Sequence, residues 1–243
     1  MREPLAWATH MVISGGPMTR RVLVSIAAAV ALACGSSSSS NGGGTGTSVS
    51  VGTGPFSGTY TNGAGVSASG SCSIQGFGLT GSVVSAGLSS SAVNLCQALA
   101  TGAEPANAVT LTVSVAKLNI AGQAQTITPG TYTVIDLNGG ALPQVDTTSG
   151  NASLALVSAS KSGGSAGAGQ GCTQVSSDDA VSGTVIIGSV STSRVSGTVN
   201  ATLKNGAGIV NGAFDVPLCS GNFTVGGTNT CAIGGIPSPT SCQ

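Results

Sequence analysis

The chain has 243 residues, of which 39 are glycine and only 6% are charged, and its acidic and basic residues balance at seven each. It is long enough for one domain of ordinary size. It has no cluster of basic residues, so we do not expect nucleic acid as a partner. Scarce Lys and Glu, with abundant Gly, Ser, Thr and Val, favour strands and turns over helices.

Residues 1–17 stand in front of a second start site. Met18 opens a segment that begins with a positive pair, Arg20 and Arg21, and continues with the apolar run 22–33. This order of features is typical of a complete signal peptide. We therefore interpret residues 1–17 as a mis-assigned start, or as an extension that is lost together with the signal peptide.

Residues 18–33 have the composition of a signal peptide. The apolar run is shorter than the about 20 residues that span a bilayer, but it suits the hydrophobic core of a signal sequence. Small residues then lead to Cys34. No later run is long and apolar enough for a transmembrane helix, so we expect no other membrane span.

The sequence Ala31-Leu32-Ala33-Cys34 resembles the lipobox of bacterial lipoproteins. Ala31 departs from the family, in which this position is usually Leu or a similar aliphatic residue. The resemblance implies that the Cys34 thiol is coupled to a diacylglycerol, that the chain is cut before it, and that the new amino terminus is acylated. Gly35 is not the aspartate that signals retention in the inner membrane, so the resemblance implies an outer-membrane lipoprotein, on its periplasmic or its surface face.

The same residues also form a small-x-small site for ordinary signal peptidase, which would cut the same bond and leave Cys34 without lipid. The cysteine count favours lipidation. With Cys34 modified, six of the seven cysteines remain, an even number for disulfides in an oxidising compartment. The disulfide candidates are Cys72, Cys96, Cys172, Cys219, Cys231 and Cys242. Of the fifteen connectivities that six cysteines allow, we predict the pairs Cys72–Cys96, Cys172–Cys219 and Cys231–Cys242.

Residues 34–54 comprise the lipidated cysteine and a linker made almost wholly of Ser, Gly, Thr and Asn. Such a composition buries too little apolar surface to offset the entropy lost on ordering, so it predicts a disordered leash. Its root-mean-square reach is about 25 Å for about 20 residues. We expect residues 55–243 to form a single β-rich domain beyond it.

The domain alternates strand patterns with glycine-rich turns. A helix is predicted at 89–99, where a serine can cap it and Ala92, Leu95, Cys96 and Leu99 recur at helical spacing. A loop is predicted at 161–171. Strands are predicted at 54–60, within 70–85, and at 109–115, 129–137 and 152–157.

Three similar segments then recur about every fifteen residues, at 181–185, 195–199 and 210–214. Their alternation places one apolar face inward, and Asn205-Gly206 predicts a hairpin between the last two. A meander with one dry face needs a second layer to cover it. The sequence therefore predicts an all-β protein, an antiparallel β-sandwich or flattened barrel with one short helix.

Several residue patterns match catalytic or metal sites, and each lacks its companions. No His follows Cys34, which excludes a Ser-His-Asp mechanism and a His-containing zinc site in the exported chain. Ser114-x-x-Lys117 and Ser158-x-x-Lys161 match the acyl-enzyme motif Ser-x-x-Lys, but neither stands at the start of a predicted helix. The pattern Gly-x-Ser-x-Gly at 163–167 lies in the predicted loop.

Two carboxylate pairs complete the candidates. Asp178 and Asp179 suit either a calcium loop or a solvated turn, and the calcium-binding loop pattern of an EF-hand is absent. Asp136 and Asp146 suit a glycosidase pair, but nothing in the sequence fixes their separation. We expect neither pair to be functional, and we expect no metal or cofactor.

The sequence thus predicts a lipid-anchored cell-envelope protein of structural or interaction type, without catalysis. Its partners would be the membrane, through the lipid, and an envelope protein or a glycan. One alternative is a carbohydrate-binding surface module that stacks sugars on Tyr60 and Tyr132. The other is a Ser-Lys acyl hydrolase. Nothing in the sequence indicates the oligomeric state.

Overall fold

A computed structural model describes residues 10–13, 22–25, 46–74, 77–136, 145–146, 148–226, 232–236 and 238–243. Its helix α1 is Leu95–Thr101. Its strands are β1 (His10–Ile13), β2 (Val22–Ser25), β3 (Ser48–Val51), β4 (Gly58–Tyr60), β5 (Asn62–Ile74), β6 (Phe77–Ser89), β7 (Ala103–Glu104), β8 (Val109–Asn119), β9 (Gly130–Thr133), β10 (Val145–Asp146), β11 (Asn151–Ser165), β12 (Cys172–Val190), β13 (Arg194–Leu203), β14 (Ile209–Pro217), β15 (Thr224–Gly226), β16 (Ala232–Gly234) and β17 (Ser241–Cys242).

The fold is all-β, a sandwich or flattened barrel with one short helix. The strands follow the order β16-β15-β5-β6-β8-β11-β12-β13-β14-β3-β4, and β9 and β10 pair beside β12 and β11. We call β16, β15, β5, β6, β8, β11 and residues 172–179 of β12 the first layer. The second layer consists of residues 180–190 of β12 with β9, β13, β14, β3 and β4. The paired strands are antiparallel except for the short pairs β15–β5 and β17–β7, and two isolated bridges, Gly65–Leu218 and Val134–Ala155, are also parallel. Among the described strands, β1 pairs with β2 and with no other.

Strand β12 belongs to both layers. Its first half pairs with β11 as far as Asp179, which lies opposite Ser158. Beyond a bulge between Ala180 and Ser182, its second half pairs with β13. There β9 replaces β11 on the other side, with Tyr132 opposite Val185. Because a bulge bends the strand that carries it and increases its twist, this one strand turns the sheet from one layer into the other.

Glycines let the two layers meet along β5. Leu218, just after β14, forms a parallel bridge to Gly65, and the Cys219 amide donates to the Gly65 carbonyl at 2.7 Å. A Cβ atom added at Gly63 would lie 2.5 Å from the Val216 Cγ1 atom. The absence of side chains at these positions therefore brings the end of β14 against β5.

The main core lies between the layers. Every second residue of β13 points into it, so Val195, Val199, Ala201 and Leu203 are at most 2% exposed. The largest fully buried side chains there include Phe56, which follows Pro55 in a turn. This alternation follows from the two-residue period of a strand, and it confirms the inward face that the sequence predicted for β13.

A second apolar cluster covers the outer face of the first layer. Helix α1 contributes Leu95, Cys96 and Leu99, and the end of the chain contributes Ile233 and Ile236. The helix begins because the Asn94 side chain accepts from the Gln97 amide at 3.1 Å. It ends at Gly102, whose φ of 64° suits glycine.

The sequence located the meander and its hairpin correctly, since β12, β13 and β14 are neighbours and Gly206 has a φ of 70° in the turn between β13 and β14. Several boundaries were wrong. The strand predicted at 54–60 begins only at Gly58, and the strand predicted at 129–137 ends at Thr133. The helix starts at Leu95 and not at residue 89, because Ser89 is still part of strand β6. Residues 48–51, assigned to the leash, form β3 with Val49 fully buried. The predicted loop 161–171 is strand as far as Ser165.

We expect Gly63→Val to destabilise the domain by about 1–3 kcal/mol, the usual cost of overpacking, because the new side chain meets Val216 and Leu88. The midpoint of urea unfolding would measure it. Gly78→Val in β6 is the matched control, since a Cβ there has no atom within 4 Å. Equal midpoints for the two variants would contradict the close approach of β14 to β5.

Candidate functional site

Disulfides fasten helix α1 and the C-terminal strand β17 to the rest of the domain. Cys96 of α1 bonds to Cys219, with Cα atoms 5.3 Å apart, and Cys172 at the start of β12 bonds to Cys242, with Cα atoms 4.8 Å apart. Cys72 is also disulfide-bonded. The remaining candidate, Cys231, lies outside the described residues. All five described cysteines are therefore oxidised, as expected of an exported domain.

The predicted pairing was wrong. Cys72 does not bond to Cys96, and Cys172 does not bond to Cys219, because Cys96 and Cys219 bond to each other. Cys242 bonds to Cys172, so it is not the partner of Cys231. The prediction from the sequence paired cysteines that would each close a single local motif. The observed bonds instead join cysteines that are 123 and 70 residues apart in the chain.

The two tyrosines predicted to stack on sugars are buried. Tyr60 is 1% exposed and Tyr132 is 2% exposed. Each hydroxyl donates to the carbonyl four residues earlier, Tyr60 to Phe56 and Tyr132 to Thr128, the latter at 2.7 Å. Burial raises the pKa of Tyr60. Both tyrosines thus fix the turn before their own strand, and neither offers a ring face to a ligand.

The Ser-x-x-Lys pairs do not assemble. Ser114 of β8 is buried and its hydroxyl shares a 2.8 Å hydrogen bond with Ser85 of β6. The Lys117 ammonium donates to the Thr128 hydroxyl at 2.6 Å. Ser158 and Lys161 are likewise three residues apart within a strand. An offset of three points the two side chains to opposite faces of a sheet, so neither lysine can act as the base for its serine.

The Gly-x-Ser-x-Gly pattern is the end of a hairpin. Ser165 is the last residue of β11, and its hydroxyl interacts with the main chain of Gly167, accepting from the amide at 3.2 Å. The chain then turns back into β12. A nucleophile elbow needs a strand followed by a helix, and this serine does not stand in that setting.

Asp178 holds a neighbouring hairpin in place. It is 6% exposed, and its carboxylate accepts from the main-chain amide of Asn205 at 3.0 Å and from the Asn205 side chain at 2.7 Å. The Lys204 amide donates to the Asp179 carbonyl at 2.9 Å. The two aspartates lie in β12, so the predicted solvated turn was wrong. Asp178 instead anchors the β13–β14 turn where β12 changes layers.

The other carboxylate pair is divided between different partners. Asp136 receives an ion pair from Lys204 at 3.2 Å. Asp146 accepts from the Ser149 hydroxyl at 2.6 Å and from the Thr148 amide at 2.9 Å. These two hydrogen bonds, the first being the stronger influence, lower the pKa of Asp146 below its ordinary value. Each aspartate therefore has a structural partner of its own, Lys204 for Asp136 and the 148–149 turn for Asp146.

Within the part of the chain that the structure describes, no three His, Cys, Asp or Glu side chains are grouped so that they could hold a metal ion. In that same part, no helix has the length and apolar character needed to cross a membrane. The lipidation candidate, Cys34, lies outside the described residues. Comparison of the chain with family models, with curated proteins and with solved structures found no match.

The sequence interpretation missed a stretch of free sheet edge at the start of β12. Gln174, Ser176 and Ser177 lie opposite residues of β11, with bulges at Val175 and between Ser162 and Ser165, and no described strand pairs with the other side of this segment. Val175 is 61% exposed there. The available signal was the sequence Thr-Gln-Val-Ser at 173–176, in which the β-branched residues Thr173 and Val175 alternate with polar ones. This alternation suits a strand, although no strand was predicted there.

We expect Asp178→Ala to lower stability by about 1–3 kcal/mol, because it removes the buried carboxylate that accepts two hydrogen bonds from Asn205. Asp178→Asn, which keeps one oxygen acceptor, should cost less. Thr202→Ala, on the exposed face of β13, is the control. Chemical unfolding would measure the series, and an Asp178→Ala midpoint equal to that of Thr202→Ala would contradict the anchoring role.

We expect Ser149→Ala to raise the pKa of Asp146 towards the ordinary aspartate value, because the variant lacks the hydroxyl that stabilises the carboxylate. NMR titration of the Asp146 carboxyl carbon would measure it, with Ser153→Ala on the exposed side of β11 as control. Since the folded-state pKa is depressed, the associated stability is present above the unfolded value and is lost as the pH falls. An unchanged pKa in Ser149→Ala would refute the assignment.

Proposed function

We propose that this chain is a lipid-anchored protein of the bacterial cell envelope with a structural or interaction role. The observation that carries the proposal is the lipobox-like sequence Ala31–Cys34, which follows a positive pair and an apolar run. A linker of Ser, Gly, Thr and Asn then leads to Ser48, where the first strand of the layered domain begins. This is the order of parts that a tethered envelope domain needs.

The oxidised cysteines support the same compartment. Disulfides persist in exported proteins and are rare in the reducing cytosol. Four described cysteines bond to one another and Cys72 is bonded as well. The only cysteines outside the described residues are Cys34 and Cys231. If Cys231 completes the bond of Cys72, Cys34 is the one thiol left for a lipid, as the cysteine count requires.

Three acyl chains at Cys34 would make attachment effectively permanent. One buried methylene contributes about 0.8 kcal/mol, and a single acyl chain holds a protein only marginally. A diacylglycerol and an amide-linked acyl group together exceed that limit. From Gly35 to the first strand the linker is short, so the domain would stay close to the membrane surface. The outer membrane is the favoured site because Gly35 follows the cysteine.

The two alternatives receive no support from the geometry. A carbohydrate-binding module would use Tyr60 and Tyr132, but both rings are buried. A Ser-Lys hydrolase would use Ser114 with Lys117, but the serine bonds to Ser85 and the lysine to Thr128.

Intact mass spectrometry of the membrane-extracted protein tests the anchor. We expect a chain that starts at Cys34, carries the mass of a diacylglycerol and an acyl group, and lacks six hydrogens because three disulfides have formed. Cys34→Ala should move the protein from the membrane fraction to the soluble fraction, whereas Ser38→Ala in the linker should not. A wild-type chain that begins at Cys34 with a free thiol would refute lipidation.

A further inference from the structure

The chain enters the second layer at one defined end of that layer. The Thr47 hydroxyl donates to the Asp215 main-chain carbonyl at 2.9 Å and accepts from the Asp215 amide at 3.0 Å. Strand β3 then runs antiparallel to β14, with Ser48 opposite Ala213. The segment that leads back to Cys34 therefore leaves the domain beside the final residues of β14.

The turn between β12 and β13 lies at the same end of the layer. Arg194 begins β13 and stands opposite Pro217, the last residue of β14. The Ser191 hydroxyl accepts from the Arg194 amide at 3.0 Å, and residues 191–193 are exposed. We call residues 191–194, Thr47 and Pro217 the tether end of the domain.

The short distance along the chain from the cysteine limits how the domain can turn. Between Cys34 and Thr47 the sequence consists of Gly, Ser, Thr and Asn. For about 13 residues of this composition the root-mean-square reach is about 20 Å. Strand β13 has 10 residues, so its opposite end lies about 30 Å from the tether end. Bringing that opposite end to the membrane would stretch the linker back along the domain, beyond its mean reach.

We propose that the tether end rests on the phospholipid surface of the membrane that holds the anchor, and that the Arg194 guanidinium binds lipid phosphates there. The inference rests on the proposed function, because it needs the lipid at Cys34. It adds which face of the domain meets the membrane and which side chain makes the polar contact.

The ion pair between Arg194 and Asp215 presents its cation outward. The Arg194 Nε atom donates to the Asp215 Oδ1 atom at 2.9 Å, and Nη2 donates to the Asp215 main-chain carbonyl at 3.0 Å. The arginine side chain is 51% exposed and the aspartate side chain only 19%. A guanidinium has more N–H donors than these two contacts use, and its planar fork matches a phosphate. Arg194 therefore has donors for a lipid phosphate while it remains paired with Asp215.

The opposite end of β13 suits an anionic surface less well. There the Lys204 ammonium pairs with Asp136 at 3.2 Å, and the Lys204 amide donates to the Asp179 carbonyl. The Asp178 carboxylate accepts from the adjacent hairpin. Three aspartates thus lie around Lys204, whereas the ion pair of the tether end is balanced. Anionic lipids give a membrane surface a negative potential, which favours contact through the tether end.

Fluorescence quenching of the full lipoprotein in vesicles tests the orientation. The vesicles contain phosphatidylethanolamine, phosphatidylglycerol and a lipid with a nitroxide on its headgroup. A fluorophore is coupled to Thr192→Cys at the tether end or, as the matched control, to Ser57→Cys. Both positions are exposed, and Ser57 lies at the opposite end of the layer, since Gly58 pairs with Val51 at the end of β3.

We expect quenching of the Thr192→Cys label to be about threefold stronger than that of the Ser57→Cys label, because the two ends are about 30 Å apart. Equal quenching, or stronger quenching at Ser57→Cys, would overturn the proposed orientation.

A second pair of variants tests the phosphate contact. With the label at Thr192→Cys, Arg194→Gln should lower the quenching about twofold, because it removes the charge-assisted bond to phosphate. Lys204→Gln is the control, since it also breaks one exposed ion pair, but at the opposite end. Exposed pairs contribute little to stability, so both variants should fold. The same quenching in both variants would refute the role of Arg194.

Vesicle flotation of the same samples separates this proposal from the anchor. Protein that floats with the vesicles but is quenched equally at both labels refutes the orientation and leaves the anchor in place. Protein that does not float refutes the anchor at Cys34, and the proposed orientation falls with it.

Discussion

The pairing of β12 with different partners along its length is the constraint on which the two layers depend. Its first half follows β11, and its second half lies between β9 and β13. The bulge after Ala180 redirects the strand, and the buried carboxylate of Asp178 fixes the adjacent hairpin at that point. Without this exchange of neighbours the meander would continue as an open sheet with an uncovered apolar face.

Small side chains set the way in which the fold is completed. With 3% aromatic residues, the core has few large side chains, so the layers must approach closely. Gly63 and Gly65 allow this approach at β5, and Tyr60 and Tyr132 each tie a turn to the strand that follows it. Helix α1 has only seven residues, and a helix of that length is marginally stable by itself. The disulfide of Cys96 holds it against the outer face of the first layer.

The first part of β12 is held at both ends and is irregular between them. The disulfide at Cys172 and the hydrogen bonds at Asp178 fix its two ends, and bulges interrupt its pairing with β11 at Val175 and between Ser162 and Ser165. Because bulges disrupt the ladder and twist a strand edge, they make pairing with a further strand less favourable.

The sequence by itself determined what depends on local period and composition: the all-β class, the inward residues of β13 and the hairpin at Asn205-Gly206. Alternation and turn chemistry act within a few residues, so they can be read directly. Only the tertiary structure decided the partner of Cys96, the burial of Tyr132, and the side of β12 left unpaired. These depend on which distant segments become neighbours, and a strand's own pattern is the same whether or not a partner lies beside it.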